Sequence, residues 1–370
     1  MKLFDFKSIK NITSDCVPCD KSKDFSINKE TGAIEAKLND EWYSEIEQIY
    51  KNYNIYKQAS GEEQPVFSGT SGIGSARSEK IIDNLIKENL CPNNGVAMDI
   101  GCGNGGFLKA FSQRFENWKL YGTEYNEKYK QTVESIPNVI EMLSVDIDDI
   151  ENDFDLISLI HVLEHIPHPI NFLKNVHKRL KTNGHLLIQL PYYIDNPFEL
   201  SIFDHASHFS KASIQRTLEL AGFKISNITN NWVTKELSIV ASPSTVVDIN
   251  LNDDDITDEI SKLEKQINWL HRIIDQINHL PNQENIAIFG SSIAATWLNY
   301  ELNKNCAFFV DEDTNRRNQK HLGINIISPA EIPNNAVVYI AQSPEIASSI
   351  ATRLSESCNP SIQFITPPMF

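Results

Sequence analysis

The chain predicts an α/β fold: a doubly wound parallel sheet with an N-terminal extension, then a second, smaller unit of the same kind. Three observations carry this. An apolar run at 96–100 feeds directly into Gly101-Cys102-Gly103-Asn104-Gly105-Gly106, and a helical pattern follows over 107–115. Further apolar runs at 118–123, 139–145, 154–160 and 185–191 alternate with helical or turn stretches, as in a parallel sheet covered on both faces. After residue 284 the alternation restarts, with runs at 286–289, 306–310 and 337–343 and a helix over 344–355.

The composition agrees. A chain of 370 residues has room for two or three domains, and 41% hydrophobic with 22% charged residues is ordinary for a globular protein in water. No apolar run approaches the ~18 residues of a membrane span, and the opening MKLFDFKSIKNITSDC lacks a signal-peptide core, so a cytoplasmic protein is expected. Lys+Arg 33 against Asp+Glu 49 gives a net charge of −16 with no basic stripe, which excludes nucleic acid as the expected partner. Six cysteines at 16, 19, 91, 102, 306 and 358 have no framework spacing and are expected as reduced thiols.

Residues 1–66 form the extension. Cys16-Val17-Pro18-Cys19 has the spacing of half a zinc site, but no second pair completes it, and no metal is expected. The stretch 41–56 sets Trp42, Ile46, Ile49, Tyr50, Tyr53 and Tyr56 at helical spacing, read as a packed face in preference to a lid over a substrate. The first domain spans 67–243. It opens on the Gly/Ser-rich run 68–78, a ligand-ordered loop or a plain linker, and a helix over 79–89.

The glycine turn admits two ligands. Gly101, Gly103 and Gly106 satisfy G-x-G-x-x-G, the dinucleotide pattern. Asp99, two residues ahead of the first glycine, is awkward beside an anionic pyrophosphate and suits the ammonium and sulfonium of S-adenosylmethionine. Either ligand needs glycine, because the backbone must approach where a Cβ would collide. Glu124 ends the next strand 23 residues beyond Gly101, where a carboxylate can accept both ribose hydroxyls. A turn, Asp146-Ile147-Asp148-Asp149, closes the third strand, and His161-Val162-Leu163-Glu164-His165-Ile166-Pro167 follows the fourth. Beyond Gly184 and the strand 185–191, the loop Phe203-Asp204-His205-Ala206-Ser207-His208-Phe209-Ser210 carries two histidines three apart. They suit a base near working pH, or a metal if a third ligand exists. Residues 244–283 are an acidic break and a helix with Ile256, Ile260, Leu263, Ile267, Leu270, Ile274 and Ile277 in a short heptad seam, expected to pack on its own chain rather than in a homodimer coil. Residues 284–370 form the second unit, whose Gly290 turn and Asp311 offer a nucleotide portion of a substrate a place or serve architecture alone.

Asp99 to Gly105, Glu124, Asp146 and HVLEHIP together resemble class I S-adenosylmethionine-dependent methyltransferases over roughly 75–241. The resemblance implies a Rossmann-like sheet with S-adenosylmethionine held by Asp99, Gly101, Cys102, Gly103, Gly105, Glu124, Asp146, Ile147 and His161. The whole layout, with its CxxC segment, its DHxxHFS loop and "VDED…GINIISPAEIP" in the terminal unit, is similar to bacterial sugar C-methyltransferases and their relatives. Those act on nucleotide-linked deoxysugars and carry an N-terminal four-cysteine zinc site, of which only Cys16 and Cys19 stand here. The resemblance makes His208 the first candidate for catalytic base, with His205 second and His161 at the reacting centre. The expected function is methyl transfer to a small-molecule acceptor, foremost a nucleotide sugar or saccharide. The alternatives are O-methylation of a non-sugar metabolite and a non-catalytic cofactor-binding scaffold.

Overall fold

The structure is a computed structural model and describes residues 8–52, 65–67, 74–245, 253–280, 286–302 and 306–370. The chain begins with two short antiparallel pairs, β1 (Asn11–Ile12) with β2 (Pro18–Cys19) and β3 (Phe25–Ile27) with β4 (Ile34–Ala36), followed by helix α1 (Asp40–Asn52). A further pair, β5 (Pro65–Phe67) with β6 (Gly74–Ala76), leads into α2 (Arg77–Lys87). Most of the expected Gly/Ser-rich loop, 68–73, and Tyr53 and Tyr56 of the aromatic stretch lie outside the described residues.

The main sheet is then laid down by β7 (Gly95–Ile100), α3 (Gly106–Arg114), β8 (Trp118–Thr123), α4 (Lys130–Glu134), β9 (Val139–Leu143), β10 (Phe154–Ile160), α5 (Pro169–Arg179) and β11 (Leu180–Pro191). After β12 (Ser207–His208) and α6 (Lys211–Leu220), it closes with β13 (Phe223–Thr229) and β14 (Glu236–Pro243). Its seven strands run in the order β13-β14-β11-β10-β7-β8-β9. The pairs from β9 to β11 are parallel, and β14 is antiparallel to both its neighbours. β7 and β10 lie side by side, so the chain winds outward in both directions from them. That is the switch point of a doubly wound Rossmann-like sheet, and it leaves a crevice at the carboxyl ends of these strands.

Each face of this sheet buries its own core, which is why the central strands read as unbroken apolar runs. Met98, Ile157, Leu159, Leu186 and Ile188 pack with Leu173, Val176, Ile214 and Leu218 of α5 and α6. Ala97, Leu120, Leu156 and Leu187 pack with Ile81, Leu85, Phe107 and Phe111 of α2 and α3. One expectation is corrected: the fifth strand does not start after a turn at Gly184. Phe154 pairs with Leu180 and Leu156 with His185, so residues 181–184 bulge out of a strand that has already begun.

The C-terminal part follows α7 (Asp253–Asn278) with β15 (Ile286–Phe289), α8 (Ile293–Glu301), β16 (Phe309–Val310), β17 (Lys320–His321), β18 (Ile324–Ile327), β19 (Val337–Ile340), α9 (Pro344–Ser357) and β20 (Gln363–Ile365). Its six strands run β17-β18-β16-β15-β19-β20, again winding outward from adjacent central strands. The heptad seam of α7 is spent within the chain. Leu263, Ile267, Leu270 and Ile277 join one core with Phe25 and Ile27 of β3, Phe198, Trp297 and Tyr339. No helix among the described residues is long and apolar enough to cross a membrane.

Candidate active site

A cleft of about 1320 Å³ opens at the carboxyl ends of β7, β8 and β10. Of the residues assigned to the cofactor from sequence, Asp99, Gly101, Cys102, Gly103, Glu124, Asp146, Ile147 and His161 all line it. Gly105 does not. It is the N-cap of α3 with φ +86, and a Cβ there would stand 2.5 Å from Ile136 Cδ1, so its smallness serves packing behind the turn while Gly106 faces the cleft.

The turn is shaped for close approach. Gly101 has φ +69, and a Cβ on it would lie 2.7 Å from Val162 Cγ2. Asp99 is buried at the base, where its Oδ1 accepts from Ser158 Oγ at 2.7 Å. Glu124 accepts from the Gly103 and Asn126 amides, each at 3.1 Å, which braces the carboxylate against the glycine turn. Asp146 accepts from the Tyr125 hydroxyl at 2.6 Å. Three carboxylates along one groove repel a pyrophosphate. They complement a ligand that brings an ammonium, a sulfonium, ribose hydroxyls and an exocyclic amine.

At the far end of the groove, the turn after β10 holds His161 in the left-handed region, at φ +56, an uncommon conformation for a residue with a Cβ. Its Nδ1 lies 3.2 Å from Glu164 Oε1 and its Nε2 lies 3.1 Å from Glu236 Oε2. Glu236 also accepts from Arg77 Nε at 2.9 Å and Gln189 Nε2 at 2.6 Å. Burial lowers the His161 pKa, but the Glu236 carboxylate outweighs it and, with Glu164, raises the imidazole to about 9. Burial likewise disfavours the Glu236 carboxylate, yet Arg77 and His161 hold it at about 2. His161 is therefore a cation at neutral pH, unsuited to accept a proton.

This pair fixes a pH dependence. A histidine raised from its ordinary ~6.5 adds stability that is complete below ~6.5 and is lost as pH rises through about 9. A carboxylate lowered to about 2 adds stability that is present above its ordinary ~4.5 and lost as pH falls through about 2. The gap in thermal midpoint between wild type and His161→Gln should therefore be widest near pH 6 and narrow toward pH 9. A gap that does not change over this range in thermal melts would rule the ion pair out.

The histidine loop is not where the sequence put it. It was expected to overhang the open crevice, but β12 pairs with β4 of the N-terminal extension, Ser207 with Glu35 and His208 with Ile34, and the loop is roofed over. His208 is 4% exposed, sits edge-on to Phe25 at 5.3 Å between ring centroids, and does not line the cleft. His205 is also buried and off the cleft wall. Burial pulls both imidazoles well below the usual histidine value, so they are neutral. Lys23 tethers the loop by donating to the carbonyls of Ile202 and His205.

The residue that connects this loop to the cleft is His165, which sequence reasoning passed over. It lines the cleft beside His161 and His168. Its Nδ1 lies 3.0 Å from the Tyr50 hydroxyl and 3.2 Å from the Asp204 carbonyl. Its ring stands edge-on to His205 at 4.7 Å, with His205 Nδ1 in turn 3.4 Å from Glu199 Oε2. Burial raises the Glu199 carboxyl to about 8, so it meets neutral His205 in its protonated form. Helix α1 also departs from its reading as a packed face alone. Trp42 and Ile46 do pack, against Phe203 and Ala206, while Tyr43, Glu47, Tyr50 and Lys51 line the cleft. Cys16 and Cys19 are buried free thiols. Among the described residues, Glu164, His165 and His205 form the group with metal-ligand spacing, and neither cysteine belongs to it.

Comparison with the curated proteins gives no match. Among solved structures the chain is similar to an S-adenosylmethionine-dependent methyltransferase from Clostridium acetobutylicum, at 13% identity and TM-score 0.39, over 55% of this chain and 99% of that one. It is similar also to a TehB-like S-adenosylmethionine-dependent methyltransferase from Corynebacterium glutamicum, at 17% identity and TM-score 0.37, over 55% of this chain and 100% of that one. A third likeness is to the mitomycin 7-O-methyltransferase, at 14% identity and TM-score 0.42, over 55% and 60% of the two chains. At these values the likenesses say nothing of the acceptor. Residues 74–228 match the family model described as a methyltransferase domain. That span holds the glycine turn, the three carboxylates, His161 and the histidine loop, so the part of the chain that resembles a methyltransferase domain is the part that builds the cleft.

Proposed function

We propose that this enzyme methylates a hydroxylated small molecule, a nucleotide-linked sugar or other saccharide. The observation that carries the reading is the part of the cleft wall supplied by α1. There α1 sets Tyr43, Glu47, Tyr50 and Lys51 around the approach to His161 and His165, with Arg77 beside them. Aromatic faces interleaved with charged groups match a sugar ring, which offers apolar faces and a rim of hydroxyls. All four α1 residues lie outside the span that matches the methyltransferase family, as acceptor choice requires if the shared span handles the shared cofactor.

When bound, S-adenosylmethionine supplies a methyl group on a sulfonium. The chain contributes alignment: Asp99, Glu124 and Asp146 fix the groove, and His161, locked between two carboxylates, sets the end at which the acceptor arrives. Holding both partners in line supplies most of the rate in such a displacement. The acceptor must also lose a proton. The groups bearing on that proton are His165, with Tyr50 and Asp204 on its Nδ1, and His205 behind it.

Release of S-adenosylhomocysteine, measured against nucleotide sugars, free saccharides and non-sugar phenols, tests the acceptor class. Turnover confined to the phenols would sink the saccharide reading. A second expectation concerns the cofactor alone. Glu124→Gln should weaken S-adenosylmethionine binding roughly 10–100-fold in calorimetry, the loss of a charged acceptor contributing about 1.5–3 kcal/mol. An unchanged affinity would remove Glu124 from the ribose site.

A further inference from the structure

The acceptor end of the cleft backs onto an unusual concentration of buried ionisable groups. Glu164 is 2% exposed and His205 3%, and both belong to one group with His165, whose offered ligand atoms all lie within 4.8 Å of one another. Neither oxygen of Glu164 has a hydrogen-bond partner, and its contact with His161 Nδ1 occupies one of them at 3.2 Å. His205 Nδ1 likewise makes no hydrogen bond. Asp204 and Glu199 stand next in line, with Asp204 Oδ2 3.6 Å from His165 Nδ1 and Glu199 Oε2 3.4 Å from His205 Nδ1. His161 answers Glu164 Oε1, but Glu164 Oε2 and His205 Nδ1 stay buried without a partner, which is costly unless something cationic satisfies them.

We propose that Glu164, His165 and His205 bind one divalent first-row transition metal ion, of the Zn²⁺ or Mn²⁺ kind, at the acceptor end of the cleft. The donor set is two imidazoles and one carboxylate, which suits such an ion and leaves coordination positions open to an incoming group. The outer shell is in place. The Tyr50 hydroxyl and the Asp204 carbonyl orient the His165 ring, as second partners do around ligating histidines. His165 lines the cleft, so an ion it holds meets the acceptor directly and lowers the pKa of a bound hydroxyl.

What the ion does rests on the methyl-transfer reading above, but whether it binds is tested without turnover. The full-length chain, stripped with chelator, is titrated with Zn²⁺ and with Mn²⁺ in calorimetry and checked by elemental analysis. One equivalent per chain is expected. Cys16→Ser with Cys19→Ser should retain it, while Glu164→Gln and His205→Asn should each weaken it roughly 10–100-fold or more. Co²⁺ added to the wild-type chain guards against variants that fold poorly. It should give visible d–d bands with no thiolate-to-metal charge-transfer band. No bound equivalent of either ion overturns the site, as does binding that disappears in the cysteine variant or a Co²⁺ spectrum with thiolate charge transfer. Those outcomes leave the saccharide reading standing; loss of that reading with metal bound leaves the site standing.

Discussion

Gly101→Val should leave the protein folded and unable to bind S-adenosylmethionine. Two penalties coincide at this position. The backbone holds φ +69, where a β-branched residue is a genuine outlier, at a cost of about 1–3 kcal/mol. The added Cβ alone would meet Val162 Cγ2 at 2.7 Å, before the two extra methyls reach into the cleft that Gly101 lines. Val162 belongs to the turn that carries His161, so the clash cannot relax without moving the acceptor end as well. Gly323 supplies the control. It too has positive φ, +79, but nothing lies within 4 Å of an added Cβ, so Gly323→Ala should cost some stability and no affinity. Calorimetry with S-adenosylmethionine and with NAD, beside thermal melts, checks the set. Wild-type affinity in Gly101→Val, or heat from NAD with none from S-adenosylmethionine, would overturn the assignment of this groove.

The glycine-turn half of the cleft was legible because it is local. A strand, a glycine turn and a helix form within some 20 residues, and each carboxylate lies near the carboxyl end of a strand whose neighbours are set by the winding of the sheet. Asp99, Glu124 and Asp146 follow from counting along such a pattern. The acceptor half is assembled from distant stretches, and no spacing announces it. His165 meets His205 across 40 positions of chain, and His161 meets Glu236 across 75. His165 lay within the quoted HVLEHIP run, four residues after His161 on a turn of 3-10 geometry, and that spacing was the one available signal. The placement of His208 failed for a topological reason. A loop after the fifth strand does sit near the crevice, but β4 of the extension pairs with it and excludes it from the opening. The same extension turns one side of α1 into cleft wall while the other packs, and a helical stripe read by hydrophobicity shows the packed side alone.

His165→Asn should lower turnover by about 10²–10⁴-fold, the usual cost of removing a group that handles the reacting proton, and leave S-adenosylmethionine affinity nearly unchanged. The position argues for both halves of that statement. His165 lines the cleft, yet its hydrogen-bond partners are Tyr50 and Asp204, not the glycine turn or the carboxylates of the cofactor groove. Whether the imidazole takes the proton itself or holds an ion that lowers the hydroxyl pKa, asparagine supplies neither function. His205→Asn should cost less than His165→Asn in a pure base mechanism and about as much if both histidines ligate one ion, so the pair of rates separates the two chemistries. His208→Asn should cost least, because its ring packs on Phe25 behind His205 and reaches neither the cleft nor the metal-spaced group. Tyr50→Phe should lower the rate modestly, since the Asp204 carbonyl still orients the ring. Initial rates at saturating cofactor and acceptor give the ranking. A His208→Asn defect larger than that of His165→Asn would return the proton-handling role to the buried loop and remove His165 from the reacting centre.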